Sequence, residues 1–215
     1  MKTDGSNAVQ LLLFIGGISL VPALLFTVTG FTRILIVLSF IRTGLGTPTA
    51  PPNQVLVGIA FFLTLFVMSP TLKTIKHDAY DPLQKGAITQ EVALKRAEAP
   101  LREFMFNQTR DKDIALFVKL SGEKPSDVKT RRDVPTQVLI PAFIISELKT
   151  AFQIGFLIFL PFLIIDLVVS STLMSMGMMM LPPVFISLPF KILLFILVDG
   201  WNLVTSSLVQ SFHMT

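Results

Sequence analysis

Four runs of this sequence carry no charged side chain: Gly5–Thr32, Thr43–Leu72, Thr150–Ile165 and Leu167–Phe190. Runs of this kind leave few folds open. About 20 apolar residues wound as a helix cross the hydrocarbon layer of a bilayer, where each amide must find its hydrogen bond within the protein. The charge is gathered elsewhere. Of 32 charged residues, 23 lie between Thr71 and Gln137, 13 of them basic and 10 acidic. Only 15% of the chain is charged, against roughly 25% in an ordinary globular domain. The pattern describes a membrane-associated protein with one polar insert. Lys2 is the only basic residue ahead of the first run, Asp4 follows it, and no Ala-x-Ala site ends the run by Thr32. Residues 8–41 therefore read as mature chain rather than as a signal peptide.

Several kinds of chemistry are excluded early. With no cysteine, disulfides, thiolate metal sites and cysteine nucleophiles fall away. His77 and His213 are the only imidazoles, and no metal-ligand spacing, nucleophile elbow or phosphate loop accompanies them. "GTPTAPP" (46–52) is no phosphate cradle, because no Gly-Lys-Ser/Thr follows it. A net charge of +4, with no Lys/Arg stripe interleaved with aromatics, gives no nucleic-acid footprint. Asp166 in "FLIIDLVVS" and Asp199 in "ILVDGW" lack the glycine-flanked context of a paired-aspartate protease. We read no catalytic residue, no cofactor, no metal and no nucleic-acid partner; the chain is not an enzyme.

The punctuation divides the chain into three parts. Residues 1–70 form an N-terminal apolar helical hairpin: Val9–Ile41, interrupted at Pro22 and Gly30, then Val55–Ser69, which stops at Pro70. Between them Gly46, Pro48, Pro51 and Pro52 make a stiff turn, since proline cannot continue a helix. Residues 71–137 are the polar, mostly helical insert. Thr89 is a plausible N-cap with Glu91 in the first turn, and Pro100 suits the first position of "APLREFMFNQ". Leu101, Phe104, Met105 and Gln108 then share a face. "DKDIALFVKLSG" (111–122) reads as an amphipathic helix closed by Gly122, and 123–133 as a charged loop. Residues 138–215 form a C-terminal apolar hairpin, through Pro141, Pro161 and Pro189, with a methionine-rich loop at 174–180. No strand-like alternation occurs. The class is all-α: membrane-associated helical hairpins with a polar helical insert.

Arg33, Glu147, Lys149, Asp166, Lys191 and Asp199 stand within or beside the apolar helices. A charge at the bilayer centre costs at least ~2.5–3.5 kcal/mol, so such residues pair or line a wet path. Glu147 and Lys149 are two apart and cannot face each other on a helix; Lys191 and Asp199, eight apart, are out of bonding reach. Their partners are expected on other helices or other chains. Arg33 and Lys191 are long enough to snorkel, whereas Asp166 and Asp199 are not.

"TLMSMGMMMLPP" (172–183) places five of nine methionines within seven positions: Met174, Met176, Met178, Met179 and Met180. Methionine is unbranched, with three rotatable bonds, and adapts to irregular neighbours. Such a cluster either fills a helix–helix contact or closes a hole without polar groups. Gly177 and Pro182–Pro183 make the stretch a loop and favour the second.

Long motifs here strongly resemble the FliP/SctR family of the type III secretion export apparatus, in its flagellar branch: "FTRILIVLSFIRTGLGTPTAPPNQVLVGIAFFLTLFVMSP" (31–70), "PAFIISELKTAFQIGF" (141–156), "PFLIIDLV" (161–168), "GMMMLPP" (177–183) and "PFKILLFILVDGW" (189–201). Many flagellar members carry a signal sequence, and none is legible here. The resemblance implies a homo-pentamer that assembles with FliQ and a single FliR into a closed helical export gate. FlhB and FlhA join the same apparatus. The gate would sit in the basal-body ring at the inner membrane, in contact with membrane lipid, its tilted hairpins raised to the periplasmic side. Unfolded flagellar subunits would pass through it. The methionines at 174, 176, 178, 179 and 180 would line the pore as a gasket, and Glu147, Lys149, Lys191 and Asp199 would find partners on neighbouring subunits. The alternatives are the equivalent injectisome subunit, or an ion- or proton-conducting subunit with Asp166 and Asp199 as relay.

Overall fold

The computed structural model describes residues 16, 22, 25–122, 133–178 and 180–213, and among these every regular element is a helix. Most of the first apolar stretch before Leu25, and the charged loop expected at 123–133 apart from Asp133, lie outside the described residues.

Helix α1 (Phe31–Leu45) is the axis of the fold. It is apolar on nearly every face, and such a helix has to be covered on every face. Phe31, Ile34, Val37, Leu38 and Ile41 are all buried. Gly46 ends it in the left-handed conformation, φ 76°, with its N–H on the Thr43 carbonyl at 3.0 Å. Pro48, Pro51 and Pro52 follow on the surface of the turn, and Pro52 caps α2 (Asn53–Val67). Asn53 accepts a hydrogen bond from Arg42, which ties the start of α2 to the end of α1 across the turn.

Two prolines behave differently from expectation. The second apolar segment does not stop at Pro70: the chain continues as α3 (Ser69–Ile75), a π-helical turn (Lys76–Tyr80) and α4 (Asp81–Gln84), bent by 58° from α2. Pro70 falls in the first turn of α3, where its missing N–H is not needed. Helix α5 (Gln90–Gln108) is capped by Thr89, whose hydroxyl accepts from the Val92 N–H at 3.4 Å, and it runs straight through Pro100. Pro100 is therefore internal and starts nothing. An internal proline costs ~3 kcal/mol. Here the Arg96 residue whose carbonyl it orphans is exposed to solvent, and Met105, Phe106 and Gln108 beyond it are buried. Tertiary packing holds the helix together across the break. In α6 (Asp111–Leu120) the expected stop is found, with Gly122 at φ 79° just past the Ser121 cap.

Helix α7 (Thr136–Ser175) has 40 residues and continues through Pro141 and Pro161. At 1.5 Å per residue it is about 60 Å long. Its central part lies along α1 in the same direction: Glu147 meets Arg33, Gly155 lies under Phe40, and Phe162 lies over Gly44. The fit is close, because a Cβ on Gly155 would stand 2.6 Å from the Phe40 ring and one on Gly44 2.6 Å from Phe162. Helix α8 (Pro183–Leu197) returns antiparallel, with Phe195 against Phe162 and Lys191 against Asp166. Helix α9 (Gly200–His213), bent 64° from α8, brings Phe212 back to Gly30. One core surrounds α1. A second, of Met105, Phe106, Val118, Val134, Val138, Leu139 and Phe143, joins the polar helices to the start of α7. By length and composition α7 can cross a membrane, and so can each bent pair if it forms one span.

Candidate functional site

Sequence spacing left six embedded charges without local partners. The fold pairs four of them inside the chain. Arg33, 1% exposed, directs all five of its N–H donors at acceptors. Its Nε donates to Glu147 Oε2 at 3.0 Å, and Nη2 donates to Glu147 Oε1 and to Gln108 Oε1, the latter at 2.9 Å. Nη1 donates to the Ser211 carbonyl at 3.0 Å and hydroxyl at 3.1 Å. Gln108 then donates to the Phe212 carbonyl at 3.1 Å, and the Phe212 ring covers the guanidinium at 4.0 Å. A fork of five donors needs acceptors in its own plane. Helix α1 supplies the donor fork and α5, α7 and α9 supply the acceptors, so the site ties four helices together.

The second pair lies further along α7. Lys191 Nζ, 3% exposed, donates to Asp166 Oδ2 at 2.6 Å, and the Ser187 hydroxyl donates to Oδ1 at 2.6 Å. Ser187 and Lys191 are four apart on α8, so one helix face serves both carboxylate oxygens. The Lys191 ammonium also comes within 3.6 Å of where a Cβ on Gly46 would stand, which sets this pair against the α1–α2 turn. Glu147 and Lys191 thus need no neighbouring subunit: their partners are intramolecular, 114 and 25 residues away. The Asp166 carboxylate is engaged at both oxygens, so a relay through Asp166 and Asp199 would begin from an occupied group. The remaining two charges stand apart. Lys149 is exposed beside Lys112, and Asp199 is exposed at the α8–α9 bend with φ 49°. Gln108, Ser187, Ser211 and Phe212 complete these pairs. Of them only Gln108 was visible beforehand, as the polar member of an otherwise apolar helix face.

The methionines sit at the opposite end of α7 from the Arg33 site. Met174 belongs to the last helical turn. There the Gly177 N–H bonds the Met174 carbonyl at 3.0 Å and the Met178 N–H bonds the Leu173 carbonyl at 3.0 Å, with Gly177 at φ 75°. That is the two-bond Schellman stop, which turns the chain sharply without any side-chain help. Pro183 then starts α8 at its first position. Met174 is 60% exposed, Met176 66% and Met180 98%, while Met178 is half-buried. Met179 lies outside the described residues. Among the described residues, Met174, Met176 and Met180 are left largely uncovered. The tip is a backbone-defined turn presenting bare thioethers.

The α7–α8 tip thus exposes apolar side chains, while Asp166 and Lys191 pair with each other within the hairpin. The family model of the FliP family matches residues 14–208. This chain belongs to the FliP family. Similar proteins include the flagellar biosynthetic protein FliP of Bacillus subtilis (strain 168), 58% identical over 208 residues, covering 96% of this chain and 93% of the relative. The protein of the same name from Pectobacterium carotovorum subsp. carotovorum is 57% identical over 206 residues, 96% of this chain and 79% of the relative. That of Aquifex aeolicus (strain VF5) is 47% identical over 207 residues, 96% and 87%. Every element described above from α1 to the body of α9 falls within the stretch that the FliP family model matches.

Proposed function

We propose that this chain is a pore-forming core subunit of the flagellar type III protein export gate. It passes unfolded flagellar subunits across the inner membrane. It works as a homo-pentamer with FliQ and FliR, joined by FlhB and FlhA in the basal-body ring, part of the complex being raised to the periplasmic side. The relatives named above are flagellar biosynthetic proteins by name, which favours the flagellum over an injectisome. The observation that carries the mechanism is the exposure of the methionine tip. Met180 is 98% exposed and has almost no cover among the described residues. Copies arranged around an axis would supply one, and a ring of thioethers closes such an axis without polar groups.

A closure of this kind excludes water because its lining offers nothing to bond to. It parts around any polypeptide, because methionine side chains move between rotamers without losing fixed partners. Neither property depends on the sequence of the passing chain, as a gate for many subunits requires.

Replacing Met178, Met179 and Met180 with alanine tests the reading when conductance and complex yield are measured on the same variant. A surface substitution such as that at Met180, 98% exposed, changes the stability of the isolated chain by only about ±0.5 kcal/mol. The expected result is normal assembly with a leak of small ions across the inner membrane. Normal yield with no leak removes the seal. A loss of yield assigns the methionines to packing between copies instead, since truncating a buried methionine costs ~2–5 kcal/mol.

A further inference from the structure

Taking the methionine tip as the seal proposed above, we infer that Gly177 is its positioning residue. The left-handed backbone at this one glycine, rather than any side-chain contact, decides where the methionines beyond it stand. Two backbone bonds stop α7, from the Gly177 N–H to the Met174 carbonyl and from the Met178 N–H to the Leu173 carbonyl, both at 3.0 Å. That pair of bonds forms around a left-handed residue, and Gly177 has φ 75°. Residues 176–183 offer no hydroxyl, amide side chain or charge, so no side chain of the turn can replace those bonds. Leu173 is the last buried residue before the turn, and Met174, Met176 and Met180 are exposed. The direction in which the chain leaves α7 is therefore set by the backbone, with Gly177 at its centre.

The space around Gly177 says what the glycine is for. A Cβ added there would meet nothing within 4 Å, whereas one on Gly44 or Gly155 would run into a phenylalanine ring at 2.6 Å. Room is not the requirement at Gly177; handedness is. In the left-handed conformation a Cβ crowds the following carbonyl oxygen, and the resulting penalty lowers the share of the left-handed turn about 5–30-fold. Asparagine tolerates this conformation and restores much of that loss. The chain also carries a matched turn elsewhere. At the end of α4, Gly86 has φ 68°, its N–H bonds the Leu83 carbonyl at 3.0 Å, and the Ala87 N–H bonds the Pro82 carbonyl at 2.9 Å. Nothing lies within 4 Å of an added Cβ there either. Alanine at either glycine meets the same backbone penalty, but only at Gly177 does the displaced chain carry the methionines.

The test uses the assembled complex, with small-ion leak across the inner membrane and complex yield measured on Gly177→Ala, Gly177→Asn, Gly86→Ala and Met178→Ala/Met179→Ala/Met180→Ala. Leak follows the share of displaced turns, so Gly177→Ala should raise it about 5–30-fold over the wild type while the complex still forms. Gly177→Asn should bring most of that leak back down, and Gly86→Ala should stay as tight as the wild type. A tight Gly177→Ala beside a leaking methionine variant overturns the role of Gly177 and leaves the seal standing. A methionine variant that is tight at normal yield removes the seal, and the role of Gly177 with it. Equal leak from Gly177→Ala and Gly177→Asn overturns the handedness argument, because any side chain would then do the damage. Equal leak from Gly86→Ala overturns it as well, since general loosening would explain both. Loss of complex in Gly177→Ala alone makes the turn an element of assembly rather than of positioning.

Discussion

Glu147→Ala is the sharpest test of how this fold is held. The carboxylate accepts two of the five Arg33 donors at a site where both residues are 1% exposed. Removing it leaves the guanidinium in place, still bonded to Ser211 and Gln108 but with its charge uncompensated. Breaking one side of a buried pair costs about 3–5 kcal/mol. For a chain of this size each kcal/mol moves the unfolding midpoint by about 2–4 °C, so the variant should melt roughly 6–20 °C below the wild type. Arg33→Met/Glu147→Leu removes both charges and refills the space with apolar atoms. Its cost is limited to the acceptors that Arg33 abandons on Gln108 and Ser211, about 1–3 kcal/mol. The double variant should therefore melt above the single one, against simple addition. Circular dichroism of the purified chain in detergent, on the wild type, both single variants and the double, measures the cycle. A Glu147→Ala midpoint within about 2 °C of the wild type would refute the reasoning. So would a double variant less stable than either single.

Asp166→Asn leaves Lys191, 3% exposed, without its counter-charge, and should destabilise by about 3–5 kcal/mol, read as a lowered midpoint in the same assay. Gly155→Ala drives a Cβ to 2.6 Å from the Phe40 ring and should cost about 1–3 kcal/mol. Gly58→Ala on α2 meets nothing within 4 Å and should gain up to about 1 kcal/mol of helix propensity; if it lowers oligomer yield instead, that face of α2 carries a contact between copies. Replacing Pro51 and Pro52 with glycine frees the unfolded chain and should cost ~0.4–1 kcal/mol per residue, with a lower assembly yield; unchanged yield and melting would make the turn a plain connector.

The helices were legible in the sequence because apolar runs and their Gly/Pro punctuation act locally. The Gly46 turn, the Thr89 cap and the Gly122 stop all depend on residues within a few positions of one another. What lay beyond reach was long-range. Arg33 and Glu147 are 114 residues apart, and no spacing rule connects them. The same is true of Phe40 with Gly155 and Phe162 with Gly44, whose contacts set α1 parallel to α7. Pro100 misled because propensity is a local cost, and the burial of Met105 and Phe106 outweighs it from elsewhere in the fold. The methionine cluster was obvious as composition. Its exposure was not, since exposure depends on what the rest of the chain leaves uncovered.

Where this hairpin is firmly held and where it is not bears on how a gate could work. The two buried pairs on α7, at Glu147 and Asp166, are 19 residues apart, about 28 Å of helix, and between them glycine–phenylalanine contacts bind α7 to α1. Beyond Asp166 the support ends. Of residues 167–178 only Leu173 is buried. Met174 lies eight residues past the last ion pair, about 12 Å further along the axis. The firmly held part of the molecule therefore ends short of the tip, where Met174, Met176 and Met180 stay largely exposed. A closure built from the buried pairs would have to break hydrogen bonds worth several kcal/mol to open. A closure built from methionines exchanges one set of weak apolar contacts for another, so it can open around a passing chain and close behind it while the body of each subunit stays folded.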